Sequence, residues 1–167
     1  MEPTERLYLD TNVFIEMAEG KNDWRRRFYK TADVRTPSGA PILCTSEFTL
    51  AELLVLPYRE GNDELIQLYE NWIMQGSVWL DVMPVTQDVL RRAALVRCHY
   101  PRVKLPDAIH LSTAISFGCS HFLSADKKIP NEIEIANLRF ETPKSSQSLK
   151  IVTLSSDILQ SILSDRA

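Results

Sequence analysis

RLYLDTNVFIE, residues 6–16, is the stretch on which the reading of this chain turns. Leu7, Tyr8 and Leu9 form a short apolar run of strand type that ends at the charge of Asp10. NVFIEMAEG then has the pattern of a helix closed by Gly20. A buried strand passing directly into a helix is the opening unit of a parallel sheet, whose strands need long helical crossovers.

The same unit recurs outward from there. Residues 22–33 suit a second helix, with Trp24, Phe28 and Tyr29 turned inward. TPSGAP, residues 36–41, is a turn cluster. PILCTS (41–46) is a second apolar strand, and EFTLAELLVL (47–56) a helix stopped by Pro57. Over residues 62–75, Leu65, Leu68, Tyr69, Trp72 and Ile73 mark one face of an amphipathic helix. SVWLDVMPV (77–85) reads as a strand with Val78, Leu80 and Val82 on one side. Residues 86–99 read as a helix through Val89, Ala93 and Val96, capped by Thr86. KLPDAIHLSTAISFG (104–118) opens near Pro106, closes at Gly118 and is apolar over most of its surface, so it belongs at the centre. SHFLSAD (120–126) is a fourth strand. Residues 127–148 read as a long polar connection, LKIVTL (149–154) as a late strand with a short helix behind it. Strands alternating with helices predict one α/β domain over residues 1–167, its mainly parallel sheet covered on both faces.

Composition narrows the function classes. The 167 residues are 44% apolar and 25% charged, as in an ordinary globular chain able to bury a core. No apolar run has the length of a membrane helix. The first ten residues lack a basic region followed by an apolar stretch, so no secretory signal is expected. Cys44, Cys98 and Cys119 are odd in number, widely spaced and set in or beside apolar segments. Reduced, buried thiols and a cytoplasmic location are therefore expected, without a disulfide frame or zinc site. A net charge of −3 offers no general attraction for nucleic acid. Arg25–Arg27, Arg91-Arg92 and Lys127-Lys128 read as solvated helix or turn faces.

Ligands of such sheets bind outside the carboxyl ends of the strands. Asp10 and Asp126 close two strands, Glu52 lies about two helical turns after another, and Asp107 opens the central helix. Each has a plain structural reading. Asp10 suits a helix cap, Asp107 a helix first turn, and Asp126 a turn. Glu52 completes a Thr49-x-x-Glu52 capping box. That box would start its helix three residues late, and Glu52 is the only charge among the leucines of TLAELLVLP. Together the four acids make a sharper prediction. Two carboxylates about 5 Å apart repel by roughly 3 kcal/mol at an effective dielectric near 20, so converging acids call for a cation. Hard oxygen ligands select Mg²⁺ or Mn²⁺, ions suited to phosphate-ester hydrolysis.

In order and spacing, LYLDTNVFIE, the glutamate of TLAELL, LPDAIHLSTA and FLSAD resemble the motifs of PIN-domain nucleases, most of all the VapC-like toxins of toxin–antitoxin pairs. The resemblance spans nearly the whole chain. It implies a three-layer α/β/α sandwich and RNA cleavage with Mg²⁺ or Mn²⁺ held by Asp10, Glu52, Asp107 and Asp126. It places Thr11, Asn12 and Ser124 in support. It also implies a homodimer and a small antitoxin bound on a helical surface. The aromatic stripes Trp24–Tyr29 and Leu65–Ile73 are candidates for that surface, unless both are core.

His110 follows Asp107 by three residues on the same helix face, so it either orients that carboxylate, contacts phosphate or is a satisfied core residue. No nucleophile elbow and no Gly-rich phosphate loop occurs. Two other readings use the same residues: a PIN-fold module that holds a partner protein, or a metal-dependent DNase or phosphatase.

Overall fold

The computed structural model describes residues 6–20, 23–30, 34–126, 128–134 and 148–155. In chain order the strands are β1 (Leu7–Leu9), β2 (Leu43–Ser46), β3 (Asp81–Met83), β4 (His121–Ser124), β5 (Glu132–Glu134) and β6 (Ser148–Thr153). The helices are α1 (Thr11–Glu19), α2 (Trp24–Lys30), α3 (Phe48–Leu53), α4 (Val55–Glu60), α5 (Asp63–Trp72), α6 (Gln87–His99) and α7 (Leu105–Ser116). The strands form one sheet in the order β3-β2-β1-β4-β6-β5, parallel throughout except that β5 runs against β6. It is the centre of a three-layer α/β/α sandwich, as the alternation of strands and helices predicts.

Period-two alternation along β1 divides the core. Leu7 and Leu9 pack with Phe14 and Met17 of α1, Trp24 and Phe28 of α2, and Tyr69 and Trp72 of α5. Tyr8 faces the other way, with Cys44, Phe122, Val89 and Val96 of α6, and Leu111 of α7. Eight of the twelve residues of α7, Ala108 to Ile115, are buried, so its apolar circumference is explained by a position between the sheet and α6. Trp24, Phe28, Tyr69, Trp72 and Ile73 belong to the core, which removes both aromatic stripes as a partner surface. Tyr29 alone of them is exposed, its hydroxyl accepting from Trp72 Nε1 at 2.9 Å.

Several elements depart from the sequence reading. The helix after β2 breaks at Leu54, ahead of Pro57, and resumes as α4 with Pro57 in its first turn. A proline cannot bond the carbonyl four residues back and clashes with it, whereas a first turn has no such bond to lose. β3 keeps only Asp81–Met83 because β2 pairs no further than Cys44↔Asp81. Val78 lies outside the ladder and is 76% exposed, not on the inward side with Leu80 and Val82. Within 127–148 the chain forms β5, a strand whose burial alternates exposed, buried, exposed. The short helix expected after residue 154 lies outside the described residues. Cys98 is exposed on α6, while Cys44 and Cys119 are free, buried and meet at 3.0 Å across the sheet. No helix among the described residues is long and apolar enough to cross a membrane.

Candidate active site

Strand order fixes where the site lies. From β1 the chain adds β2 and β3 on one side, then returns to place β4 on the other side of β1. The sheet therefore has a topological switch point between β1 and β4, and a ligand crevice opens there at the carboxyl ends. Asp10 leaves β1 at that point and Asp126 follows β4 by two residues.

Asp10 is 6% exposed. As the N-cap of α1 it accepts from Thr11 N at 2.8 Å through Oδ1, which satisfies one of the unpaired donors of the first turn. Its Oδ2 accepts from Asn12 Nδ2 at 2.8 Å and from Ser124 Oγ at 2.7 Å. Ser124 Oγ in turn receives Asn12 Nδ2 at 3.0 Å and Asp126 N at 2.9 Å, and Asn12 Oδ1 accepts from Ala125 N at 2.8 Å. Asn12 and Ser124 thus tie the ends of β1 and β4 together around Asp10. Of the expected support residues, Asn12 and Ser124 bond Asp10 directly through its Oδ2.

Glu52 reaches the crevice from α3. The capping-box reading fails: α3 starts after Glu47 without a side-chain cap, and the Thr49 hydroxyl is bonded to Thr45 Oγ1 at 2.8 Å. Glu52 Oε2 instead accepts from Thr11 Oγ1 and, at 2.7 Å, from His110 Nε2. Burial raises the Glu52 carboxyl, but the His110 and Thr11 hydrogen bonds, with the His110 charge, outweigh it and hold the group below its ordinary range. His110 therefore serves Glu52; no hydrogen bond links it to Asp107 among the described residues.

Asp107 lies in the first turn of α7 and is half-buried. Burial comes first among the causes that raise its carboxyl, followed by the charges of Asp10 and Asp126 and, more weakly, Glu52; His110 opposes them. Asp10, Asp126 and Glu52 are thus all close enough to act on Asp107. Asp126 is exposed, its Oδ1 receiving Lys128 N at 2.8 Å. Lone pairs remain on Asp10 Oδ1, Glu52 Oε1, Asp126 Oδ2 and Asp107. Among the described residues no three His, Cys, Asp or Glu are gathered closely enough to enclose a metal ion. The donor chemistry nevertheless fits a hard divalent cation, because carboxylate oxygens with mutual repulsion at Asp107 are what such an ion would relieve.

Tyr8 is the site-linked residue that sequence reasoning misses. Its hydroxyl meets His110 Nδ1 at 2.8 Å across 102 residues of sequence. A tyrosine in an apolar strand carries no mark of such a contact; its place two residues before Asp10 is the only hint.

An α/β sandwich with acids from separate elements beside its switch point has the oxygen donors that phosphate-ester chemistry with a divalent ion calls for. The PIN domain family model matches residues 7–132, and the chain belongs to that family. Nucleases with this domain generally use divalent metal ions. Three solved structures share the fold. A toxin–antitoxin complex from Klebsiella pneumoniae is 21% identical with a TM-score of 0.53, covering 74% of this chain and 88% of that one. DNA-bound VapBC from Salmonella typhimurium is 18% identical with a TM-score of 0.57, over 89% and 98% of the two chains. VapC20 from Mycobacterium tuberculosis, a Sarcin-Ricin loop cleaving toxin, is 19% identical with a TM-score of 0.52, over 70% and 86%. At these identities the likeness is one of fold. No curated protein matches the sequence.

Proposed function

We propose that this protein is a Mg²⁺- or Mn²⁺-dependent endoribonuclease, the toxin of a type II toxin–antitoxin pair. The observation that carries the proposal is that Asp10, Asp126 and Glu52 all bear on the charge of Asp107 beside the switch point of the sheet. Asp10 and Asp107 are the principal ligands, Asp126 completes the set, and Glu52 takes part directly or through water. Bound there, a divalent ion supplies acidity to a water and charge stabilisation to the attacking and leaving oxygens. The chain's own part is placement. Asn12 and Ser124 fix Asp10 Oδ2 and Thr11 N bonds Oδ1, which keeps one lone pair, while the Thr11 hydroxyl fixes Glu52 Oε2 and leaves Oε1. Water then attacks a phosphodiester in line, and the ribose oxygen leaves.

The RNA substrate and a small antitoxin follow from the resemblance to VapC-like toxins, with support from the named toxins of like fold, and a homodimer follows from that resemblance alone. Val55, Leu56 and Tyr58 of α4 are 46%, 50% and 60% exposed, an apolar patch suited to a protein partner.

The test is cleavage of a mixed RNA pool by purified, antitoxin-free protein with Mg²⁺, Mn²⁺ or EDTA. Cuts that need the ion and vanish in Asp10→Asn and Glu52→Gln are expected. Turnover of DNA or a small phosphate ester with RNA intact would move the substrate class. Wild-type cleavage by Glu52→Gln would remove Glu52 from the site.

A further inference from the structure

We propose that His110 is a positioning residue for Glu52, bonded through Nε2 to Oε2 and braced through Nδ1 by Tyr8, so that Glu52 turns Oε1 alone toward the cation. This deepens the nuclease reading and rests on it for the identity of the cation site.

The geometry runs in one line from the sheet to the crevice. Tyr8 is fully buried on β1, stacked on Phe122 with ring centroids 5.1 Å apart. Its hydroxyl holds His110 Nδ1 at 2.8 Å. The imidazole is 1% exposed, with Tyr8 edge-on at 5.9 Å and the Phe48 ring at 5.5 Å between centroids. These contacts leave the ring one orientation. A carboxylate has only lone pairs, so Nε2 carries the hydrogen that reaches Glu52 Oε2 at 2.7 Å. Thr11 Oγ1 donates to the same oxygen and lies 3.2 Å from Nε2.

Two donors on Oε2 and, among the described residues, none on Oε1 make Glu52 asymmetric. Oε2 is occupied by the protein, and Oε1 is the oxygen left for an ion or its water. Glu52 is the one acid of the four on a six-residue helix that ends at a break, so its own element constrains it weakly. The bond to His110 couples it to α7, the most deeply buried helix, and through Tyr8 to β1. Asp107 lies one turn before His110 on that helix, so α7 places one acid directly and a second through the imidazole. Groups that orient a metal's ligands in this way typically govern affinity or activity by about 10–100-fold.

Satisfying buried polar groups would account for the same hydrogen bonds, so the test must separate support of Glu52 from support of the core. Mn²⁺ affinity is measured by calorimetry on RNA-free protein, and RNA cleavage separately, for wild type, His110→Leu, His110→Gln, Glu52→Gln and the His110→Leu/Glu52→Gln double variant. His110→Leu is expected to weaken Mn²⁺ binding about 10–100-fold and to lower kcat with little change in KM. His110→Gln, which keeps an N–H donor at similar reach, is expected to restore most of both. In the Glu52→Gln background His110→Leu should cost little more, since the carboxylate it serves is gone. Where His110→Leu does not fold, Tyr8→Phe removes one hydroxyl and is expected to weaken binding in the same direction. Undiminished Mn²⁺ affinity in His110→Leu, or an equal loss with and without Glu52, overturns the positioning role and leaves the nuclease reading standing. Mn²⁺ affinity that depends on His110 in a protein that cuts no RNA overturns the nuclease reading alone.

Discussion

Asp10 meets two physical demands with one side chain. It caps α1 through Oδ1, which accepts a single hydrogen bond and keeps a second lone pair, so the cap and the metal-ligand readings of the sequence are compatible. Glu52 differs, because the structure discards its capping role in favour of Thr11 and His110. Its isolation among leucines was the legible signal; its partners, brought from other elements by the fold, were not. Asp107 allows a prediction at this scale. A first-turn carboxylate gains roughly 0.3–1 kcal/mol from the helix dipole. Burial and the neighbouring acids nonetheless raise this carboxyl and oppose that gain in the metal-free protein. Asp107→Asn should therefore stabilise the EDTA-treated protein by on the order of 1 kcal/mol, raising Tm by roughly 2–4 °C, while abolishing cleavage. Thermal melts in EDTA check the sign, and a lower Tm would mean that the dipole outweighs the repulsion.

At the scale of elements, α7 shows what local sequence can dictate. Pro106 stands in its first turn, where its missing N–H costs nothing, and Gly118 ends it at φ 70°. Cys119 N bonds Ala114 O at 2.9 Å and Gly118 N bonds Ile115 O at 3.0 Å, the paired bonds of a Schellman ending. A Cβ at Gly118 would touch nothing within 4 Å, so Gly118→Ala carries only the cost of left-handed backbone. That is about 1 kcal/mol, expected as a fall of roughly 2–4 °C in Tm with cleavage unchanged. A loss of cleavage at temperatures where the variant is folded would show that this ending also shapes the site. Signals of this kind, including Thr86 as the cap of α6, are contained within a few residues and so were readable. The length of β3 was not, because it is set by how far β2 extends beside it. The break at Leu54 was half readable: Pro57 predicts an interruption, but tertiary packing decides that a second helix follows.

At the scale of the whole molecule, strand–helix alternation made the layered sheet readable, and the strand ends made Asp10 and Asp126 readable. The insertion of β4 beside β1, which creates the crevice, depends on pairing between residues far apart and left no local mark. That topology brings Asp10, Asp126 and Glu52 near enough to Asp107 to raise its carboxyl, so the fold holds these charges closer to it than the unfolded chain does. A cation that binds the folded state alone must then stabilise it. At a free Mn²⁺ concentration of about 100 times Kd the gain is about 2.7 kcal/mol, or roughly 5–10 °C in Tm, reversed by EDTA. Asp10→Asn is the control, because asparagine caps a helix as well as aspartate does, although its Nδ2 replaces the oxygen that accepts from Asn12 and Ser124. Its Tm without metal should fall while the fold survives, and its rise with Mn²⁺ should shrink. An equal rise in both proteins would place the ion elsewhere, and no rise in wild type would deny that the four acids form a cation site.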